Sequence, residues 1–180
     1  NRLLKEANNV IAVELDKRMV NILQDRFILN INDQAESKLE IINEDVLKIN
    51  LNEIIVEKRK QTEIKNVKIV ANLPYYISTP IIMKLLENRL DIDEIIVMVQ
   101  KEVAERLTAK TGTRLAGAIT YAVEYYSDAT GIIKVSKESF VPSPKVESEV
   151  IKLKVRKGKK IQVKDEKLLF SIIYKEICVI

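Results

Sequence analysis

The chain has no histidine, a single cysteine (Cys178), and only 5% aromatic residues among its 180. The missing histidine excludes His-based acid–base catalysis, Ser-His triads and His-ligated metal sites in one stroke. One cysteine excludes an internal disulfide framework and fits a reducing cytoplasm, the expected location. No apolar run approaches membrane-span length and no signal peptide opens the chain, so no membrane partner is expected. Internal repeats and low-complexity stretches are also lacking. What is present, 47% apolar and 31% charged residues, describes a globular chain long enough for one full domain and part of a second.

Charge is unevenly placed within the net of +4. Residues 1–133 hold 18 Lys/Arg against 20 Asp/Glu, whereas residues 134–180 hold 12 against 6. A basic end on a near-neutral body is compatible with a polyanionic partner, though solvated lysine-rich tails are common.

Strand and helix patterns alternate, which predicts a parallel α/β sheet. Residues 10–15, 39–42, 67–71 and 94–99 read as strands, and residues 17–29, 51–58, 101–108 and 115–126 as helices. Ser78-Thr79-Pro80 is expected to cap a helix through Leu86, with Pro80 in the first turn where its missing N–H costs nothing. Residues 132–135 and 150–155 read as late strands that pair antiparallel at a sheet edge. Residues 156–160 form the one convincing linker, and residues 165–177 have the spacing of an amphipathic helix. The chain opens on a helical pattern (Leu3, Leu4, Ala7), so the first strand of the sheet is expected to be missing and the chain to be a fragment.

The strand at residues 67–71 stops abruptly at Asn72-Leu73-Pro74-Tyr75. That turn offers an amide oxygen, a carbonyl that proline keeps out of a helix, and a ring. These are the groups needed to hold a planar base with an exocyclic amino group. In open α/β sheets ligands bind beyond the carboxyl ends of the strands. Three such ends are polar: Glu14, Asp45 and Asn72, spaced 31 and 27 residues apart, each about one strand-helix repeat. An acidic residue at such an end suits a ribose diol. Asp45 suits an adenine amino group, with the Val46 N–H directed at the ring and Asn72 facing the reacting atoms. Taken singly, each also reads as an ordinary turn or helix cap.

Phe140-Val141-Pro142-Ser143-Pro144-Lys145-Val146-Glu147-Ser148 is stiffened by two prolines and reads as an extended loop. Phe140 either tucks into the core or stacks on a flipped base, with Lys145 near phosphate.

Together these residues resemble the ribosomal RNA adenine N6,N6-dimethyltransferase family. The resemblance runs from about Val10 to Arg156. It rests on Val-Ile-Ala-Val-Glu-Leu-Asp (10–16), Asn-Glu-Asp-Val (43–46), Asn-Leu-Pro-Tyr-Tyr-Ile-Ser-Thr-Pro (72–80), Val-Gln-Lys-Glu-Val-Ala-Glu-Arg (99–106) and Phe-Val-Pro-Ser-Pro-Lys-Val-Glu-Ser (140–148). The third and fifth segments are specific; the first two are shared with many methyltransferases.

The resemblance implies a Rossmann-like S-adenosylmethionine-dependent methyltransferase fold of class α/β, with a mostly parallel sheet and a late antiparallel edge. Residues 1–156 would form that domain, and residues 157–180 a linker and the start of a small helical domain. It implies S-adenosyl-L-methionine as cofactor, without a metal. The implied substrate is two adjacent adenines near the 3′ end of small-subunit (16S) rRNA, met in the immature small ribosomal subunit by a monomer. Glu14 with Leu15 would bind the cofactor ribose, Asp45 with Val46 its adenine, and Asn72 would border the cofactor. Asn72 and the carbonyl of Leu73 or Pro74 would hold the target amino group, between the rings of Tyr75 and Phe140. Lys145, Arg156, Lys157, Lys159 and Lys160 are the expected RNA-phosphate contacts.

Three features depart from the family pattern. Its glycine-rich cofactor loop is not in the chain, Ala116-Gly117 stands where a Tyr-Gly pair is usual, and its C-terminal helical domain is at most begun by residues 165–180. The alternatives are the sister enzymes that methylate large-subunit rRNA and confer macrolide resistance, or a non-catalytic RNA-binding assembly factor of the same fold. Tyr76 and the Phe-x-Pro-x-Pro-Lys loop favour the small-subunit enzyme. A small-molecule or protein methyltransferase is a third class.

Overall fold

The computed structural model describes residues 2–27, 38–61, 63–158 and 161–177. Two compact units are formed, Asn1–Asn50 and Leu51–Ile180. In the first, helix α1 (Arg2–Glu6) leads to strand β1 (Val10–Glu14), then helix α2 (Lys17–Phe27) and strand β2 (Leu39–Asn43). The two β-branched strands pair in parallel from Val10 opposite Leu39 to Glu14 opposite Asn43. Their crossover carries α2, whose Val20 is buried. The expected helix to residue 29 is seen to Phe27; residues 28 and 29 lie outside the described residues.

The second unit contains helix α3 (Leu51–Gln61), strand β3 (Lys68–Asn72), helix α4 (Ser78–Glu87), strand β4 (Glu94–Gln100), helices α5 (Lys101–Thr108) and α6 (Ala118–Tyr126), strands β5 (Ser127–Val135) and β6 (Ser148–Val155), and helix α7 (Glu166–Ile177). Its sheet runs β3-β4-β6-β5, with β3 and β4 parallel and β6 antiparallel to both neighbours. The antiparallel pair expected late in the chain is therefore present, with β5 at the edge. Strand β4 alternates strictly. Ile95, Val97 and Val99 are 0% exposed, while the residues between them are half-buried. Ile151 and Leu153 of β6 lie opposite Val97 and Ile95 and are equally buried. Helix α5 packs on β5 and β6, α6 packs on β5 and on α5, and α4 packs on α6. Ile82, Leu85 and Leu86 of α4 are buried at helical spacing.

Several boundaries differ from the sequence pattern for physical reasons. Strand β5 begins at Ser127, five residues before the expected start, because Ser127-Asp128-Ala129-Thr130-Gly131 pairs with β6 through its backbone and carries no apolar alternation. Helix α6 begins at Ala118 rather than residue 115. Residues 110–116 are spent on two turns, closed by Thr113 N–H to the Lys110 carbonyl (3.3 Å) and Ala116 N–H to the Thr113 carbonyl (3.0 Å). Ser78 does not cap α4. It lies inside the first turn, and its hydroxyl donates to the Tyr75 carbonyl (3.2 Å).

The expected C-terminal helix is α7, and it packs on α6. The Leu168 N–H donates to the Asp165 carboxylate at 3.0 Å, the N-cap arrangement. Phe170 stacks on Tyr126 (centroids 5.5 Å apart, planes 19°) and meets Tyr125 edge-on. Tyr125 donates to Glu166 (2.8 Å), which also pairs with Arg89. Burial pushes the Tyr126 hydroxyl up to about 12, with Glu166 and Glu87 adding to it.

The edge opposite the carboxyl ends is clasped by Asp93. Its backbone exchanges bonds with Val67 and Val155 (2.8 and 2.9 Å), and its carboxylate accepts from Val67 N–H (2.8 Å) and pairs with Lys157 (2.9 Å). Burial pushes this carboxyl up, but Lys157, the Val67 N–H and Arg59 outweigh it and hold the carboxyl below its ordinary value. A depressed carboxylate contributes stability that is complete above the ordinary aspartate pKa of about 3.9 and is lost as pH falls through the lower folded value. In urea titrations at about pH 5 and pH 3, Asp93→Asn is expected to lose less stability between the two than the unmodified chain.

Candidate active site

In the first unit, strands β1 and β2 end side by side at Glu14 and Asn43. The Asn43 side-chain amide donates to the carbonyls of Glu14 (2.9 Å) and Leu15 (3.1 Å), fixing the β1 turn. The sequence reading gave Asn43 no role. Its register opposite Glu14 was the signal available, since both residues end strands. Glu14 accepts from the Asp16 N–H through Oε1 (2.8 Å), and no partner of its Oε2 is found among the described residues. Asp16 is itself occupied by Arg18 (2.7 Å), whose hydrogen bonds hold the Asp16 carboxyl below its usual range. The Leu15 side chain is exposed beside this turn.

Asp45 lies two residues beyond β2. Its Oδ1 accepts from the Leu47 N–H (2.9 Å) and its carbonyl from the Lys48 N–H (2.8 Å). Both acids therefore do the ordinary work of a turn with one oxygen, and the other has no partner among the described residues. The Val46 N–H donates to nothing among the described residues. Two carboxylate oxygens and a main-chain donor fit the diol, amino group and ring nitrogen of a nucleoside.

In the second unit, Asn72 is the last residue of β3, opposite Met98 of β4, and is exposed. Its side-chain amide makes no hydrogen bond among the described residues. The Leu73 N–H donates to the Met98 carbonyl (3.4 Å), which turns the chain out of the sheet, and the Leu73 side chain is buried. Pro74 is held at φ −58°, ψ 132° ahead of a short 3-10 turn, Tyr75–Ile77. The Pro74 carbonyl accepts from the Ile77 N–H (3.2 Å), whereas the Leu73 carbonyl has no partner among the described residues. Of the two carbonyls left open by the sequence, the free one is that of Leu73.

Tyr75 is half-buried and its hydroxyl meets the Ser148 hydroxyl at 2.6 Å. That bond ties the turn at residues 72–75 to the end of the proline-braced loop. The loop is not uniformly extended. Residues Lys137–Ser139 form a 3-10 turn, the Phe140 N–H and the Ser143 hydroxyl both bond the Lys137 carbonyl (3.3 and 2.9 Å), and Val141-Pro142 is cis. Phe140 is half-buried, and its ring makes no contact with that of Tyr75. Among the described residues no group of three or more His, Cys, Asp or Glu side chains is placed to hold a metal ion, and no helix is long and apolar enough to cross a membrane.

The expected phosphate contacts divide. Lys145 is exposed and makes no ion pair among the described residues. Arg156 is engaged within the fold. Its guanidinium donates to the Glu124 and Ser127 carbonyls and pairs with Asp128, closing the corner between α6 and β5. Lys157 is likewise engaged, by Asp91 (3.1 Å) and Asp93 (2.9 Å), which raise its pKa. Lys159 and Lys160 lie outside the described residues.

The first unit is a parallel βαβ unit with Glu14 ending β1 and Asp45 two residues beyond β2, and the second holds a mixed parallel and antiparallel sheet; these are elements of the Rossmann-like fold of S-adenosylmethionine-dependent methyltransferases. The family described as ribosomal RNA adenine dimethylase matches residues 1–179, and the chain belongs to it. Ribosomal RNA small subunit methyltransferase A of Alkaliphilus oremlandii is 43% identical over 171 residues, covering 95% of this chain and 56% of that protein. The protein of that name from Geobacillus thermodenitrificans is 42% identical over 172 residues, with 96% and 56% coverage. The chain thus spans little more than half the length of these curated relatives. A dimethyladenosine transferase from Plasmodium falciparum superposes with a TM-score of 0.69 at 31% identity, over 86% of this chain and 50% of that one. The 23S rRNA methyltransferase ErmE gives 0.71 at 21% identity, over 98% and 64%, a likeness of fold.

Removing the Arg156 side chain strands two carbonyls at a corner where it is only 19% exposed. Arg156→Ala is expected to lower stability by about 1–3 kcal/mol, read in urea unfolding. The salt dependence of RNA binding should keep its original slope.

Proposed function

We propose that the chain is the S-adenosylmethionine-dependent part of an enzyme that dimethylates the N6 amino groups of two adjacent adenines near the 3′ end of small-subunit rRNA. Residues 1–156 form its methyltransferase domain and residues 157–180 its C-terminal helical extension. It acts on the immature small ribosomal subunit as a cytoplasmic monomer, without a metal. The names of the curated relatives support the small-subunit target over the large-subunit one.

The observation that carries this reading is the pair of unengaged acceptors at the end of β3, the Asn72 amide oxygen and the Leu73 carbonyl, beside a tethered tyrosine ring. When bound, S-adenosylmethionine supplies an electrophilic methyl group. Glu14 accepts from the ribose hydroxyls, with Leu15 alongside, and Asp45 with the Val46 N–H reads the cofactor's adenine. An adenine amino group is a poor nucleophile because its lone pair is delocalised into the ring. Asn72 and Leu73 accept its two hydrogens, which favours a pyramidal nitrogen with the lone pair freed. Their contribution is positioning and electrostatics, and the proton that the nitrogen sheds on methylation passes to water. The target must leave its stack, and the faces of Tyr75 and Phe140 offset part of that cost, about 1–3 kcal/mol per base.

In the full-length protein, Asn72→Ala should cut methylation of unmethylated small-subunit particles by roughly 100-fold or more. Its calorimetric affinity for S-adenosylmethionine should stay within about threefold, a shift well under the 1.4 kcal/mol that tenfold represents. Near-normal turnover by this variant would refute the role of Asn72. Lys145→Ala should weaken RNA binding and reduce the slope of log affinity against log salt by about 0.7, and an unchanged slope would remove Lys145 from the phosphate contacts.

A further inference from the structure

Ser148 is 1% exposed and opens β6, where its backbone is paired on one side with Gln100 of β4 and on the other with Val135 of β5. Its position is therefore set by the middle of the sheet and not by the loop before it. A buried hydroxyl needs a partner, and the one found for Ser148 is the Tyr75 hydroxyl, 73 residues away in sequence, at 2.6 Å. Tyr75 follows a proline of fixed φ, so its backbone is already held, and the hydroxyl bond removes the remaining swing of the ring. A phenylalanine facing an alanine would fill the same space with no polar group to satisfy. What the two hydroxyls add is direction.

The preceding residue is bolted down separately. Glu147 pairs with Lys101 Nζ (2.9 Å), and its carbonyl accepts from the Lys101 N–H (3.0 Å), at the junction of β4 and α5. Neighbouring residues 147 and 148 thus tie the end of the Phe140 loop to two different strand ends.

We propose that Ser148 is a positioning residue for the target base: its hydroxyl fixes the Tyr75 ring, and the main-chain bond from Lys101 to Glu147 beside it holds the end of the loop that carries Phe140. The proposal rests on the reading of Tyr75 and Phe140 as the faces that receive the base.

The test is a double-mutant cycle in the full-length protein with Ser148→Ala, Tyr75→Phe and the combination, assayed on unmethylated small-subunit particles. Each single variant should lower kcat about five- to tenfold, the size of one oriented hydrogen bond. The double variant should be no worse than the weaker single, because both remove the same bond. The KM for S-adenosylmethionine should stay unchanged throughout, and the thermal midpoint should fall in Tyr75→Phe, which strands the buried Ser148 hydroxyl, but not in Ser148→Ala, which a merely structural serine would not predict. Unchanged kcat in Ser148→Ala, losses that multiply in the double variant, or a loss of kcat in Ser148→Ala that follows a fall in its thermal midpoint would each overturn the proposal. Should Ser148→Ala fail to fold, Tyr75→Phe decides alone, since it keeps the ring: unchanged kcat there overturns it. An inactive Asn72→Ala beside a fully active Ser148→Ala defeats only this inference, whereas a fully active Asn72→Ala defeats the base-capture reading itself.

Discussion

Strand β4 is the constraint on which the second unit depends. One edge of its backbone ladder pairs in parallel with β3, and the other pairs antiparallel with β6. Its inward residues, Ile95, Val97 and Val99, have no exposure and leave no freedom to slide. A slip of one residue would exchange them for Glu94, Ile96 and Met98. Because β4 is locked, the ends of both neighbours are locked. Asn72 stands opposite Met98 and Ser148 opposite Gln100, so the segments at residues 72–75 and 140–148 are held at the same end of one strand.

That arrangement also shapes the polar groups at the end of β3. Acceptors at the end of β3 are unengaged because the chain leaves the sheet there. Leu73 donates back to Met98, and Pro74 then starts a turn that uses its own carbonyl and spares that of Leu73. The rigidity comes from buried aliphatic packing and the polarity from backbone left over at a strand end. The acids of the first unit follow the same economy: Glu14 and Asp45 each hold their turn with one oxygen, and the other has no partner among the described residues. A turn role and a binding role are compatible in a carboxylate, which has several acceptor sites.

The basic end shows why charge composition is a poor guide to contact. Arg156 and Lys157 sit in the most cationic run of the chain, yet one closes the α6–β5 corner and the other neutralises Asp91 and Asp93. The guanidinium suits the first task because its fork meets two carbonyls and a carboxylate at once. Lys145 has no such neighbours and remains directed at solvent.

The sequence by itself determined the β-branched strands, the helices between them, and the polar ends of β1 and β3, Glu14 and Asn72. These are local signals: side-chain periodicity of two or 3.6, and a proline that stops a strand. It also determined the family, through Asn72-Leu73-Pro74-Tyr75 and the Phe140–Ser148 segment. Only the tertiary structure decided that Tyr75 bonds Ser148, that Asn43 orders the Glu14 turn, that Leu73 rather than Pro74 keeps a free carbonyl, and that Arg156 is structural. It also decided the early start of β5, which pairs by backbone alone. Each of these is a hydrogen-bond partnership, mostly between residues tens of positions apart. No periodicity encodes such partners, because a donor's choice of acceptor depends on which strands the buried core brings into register.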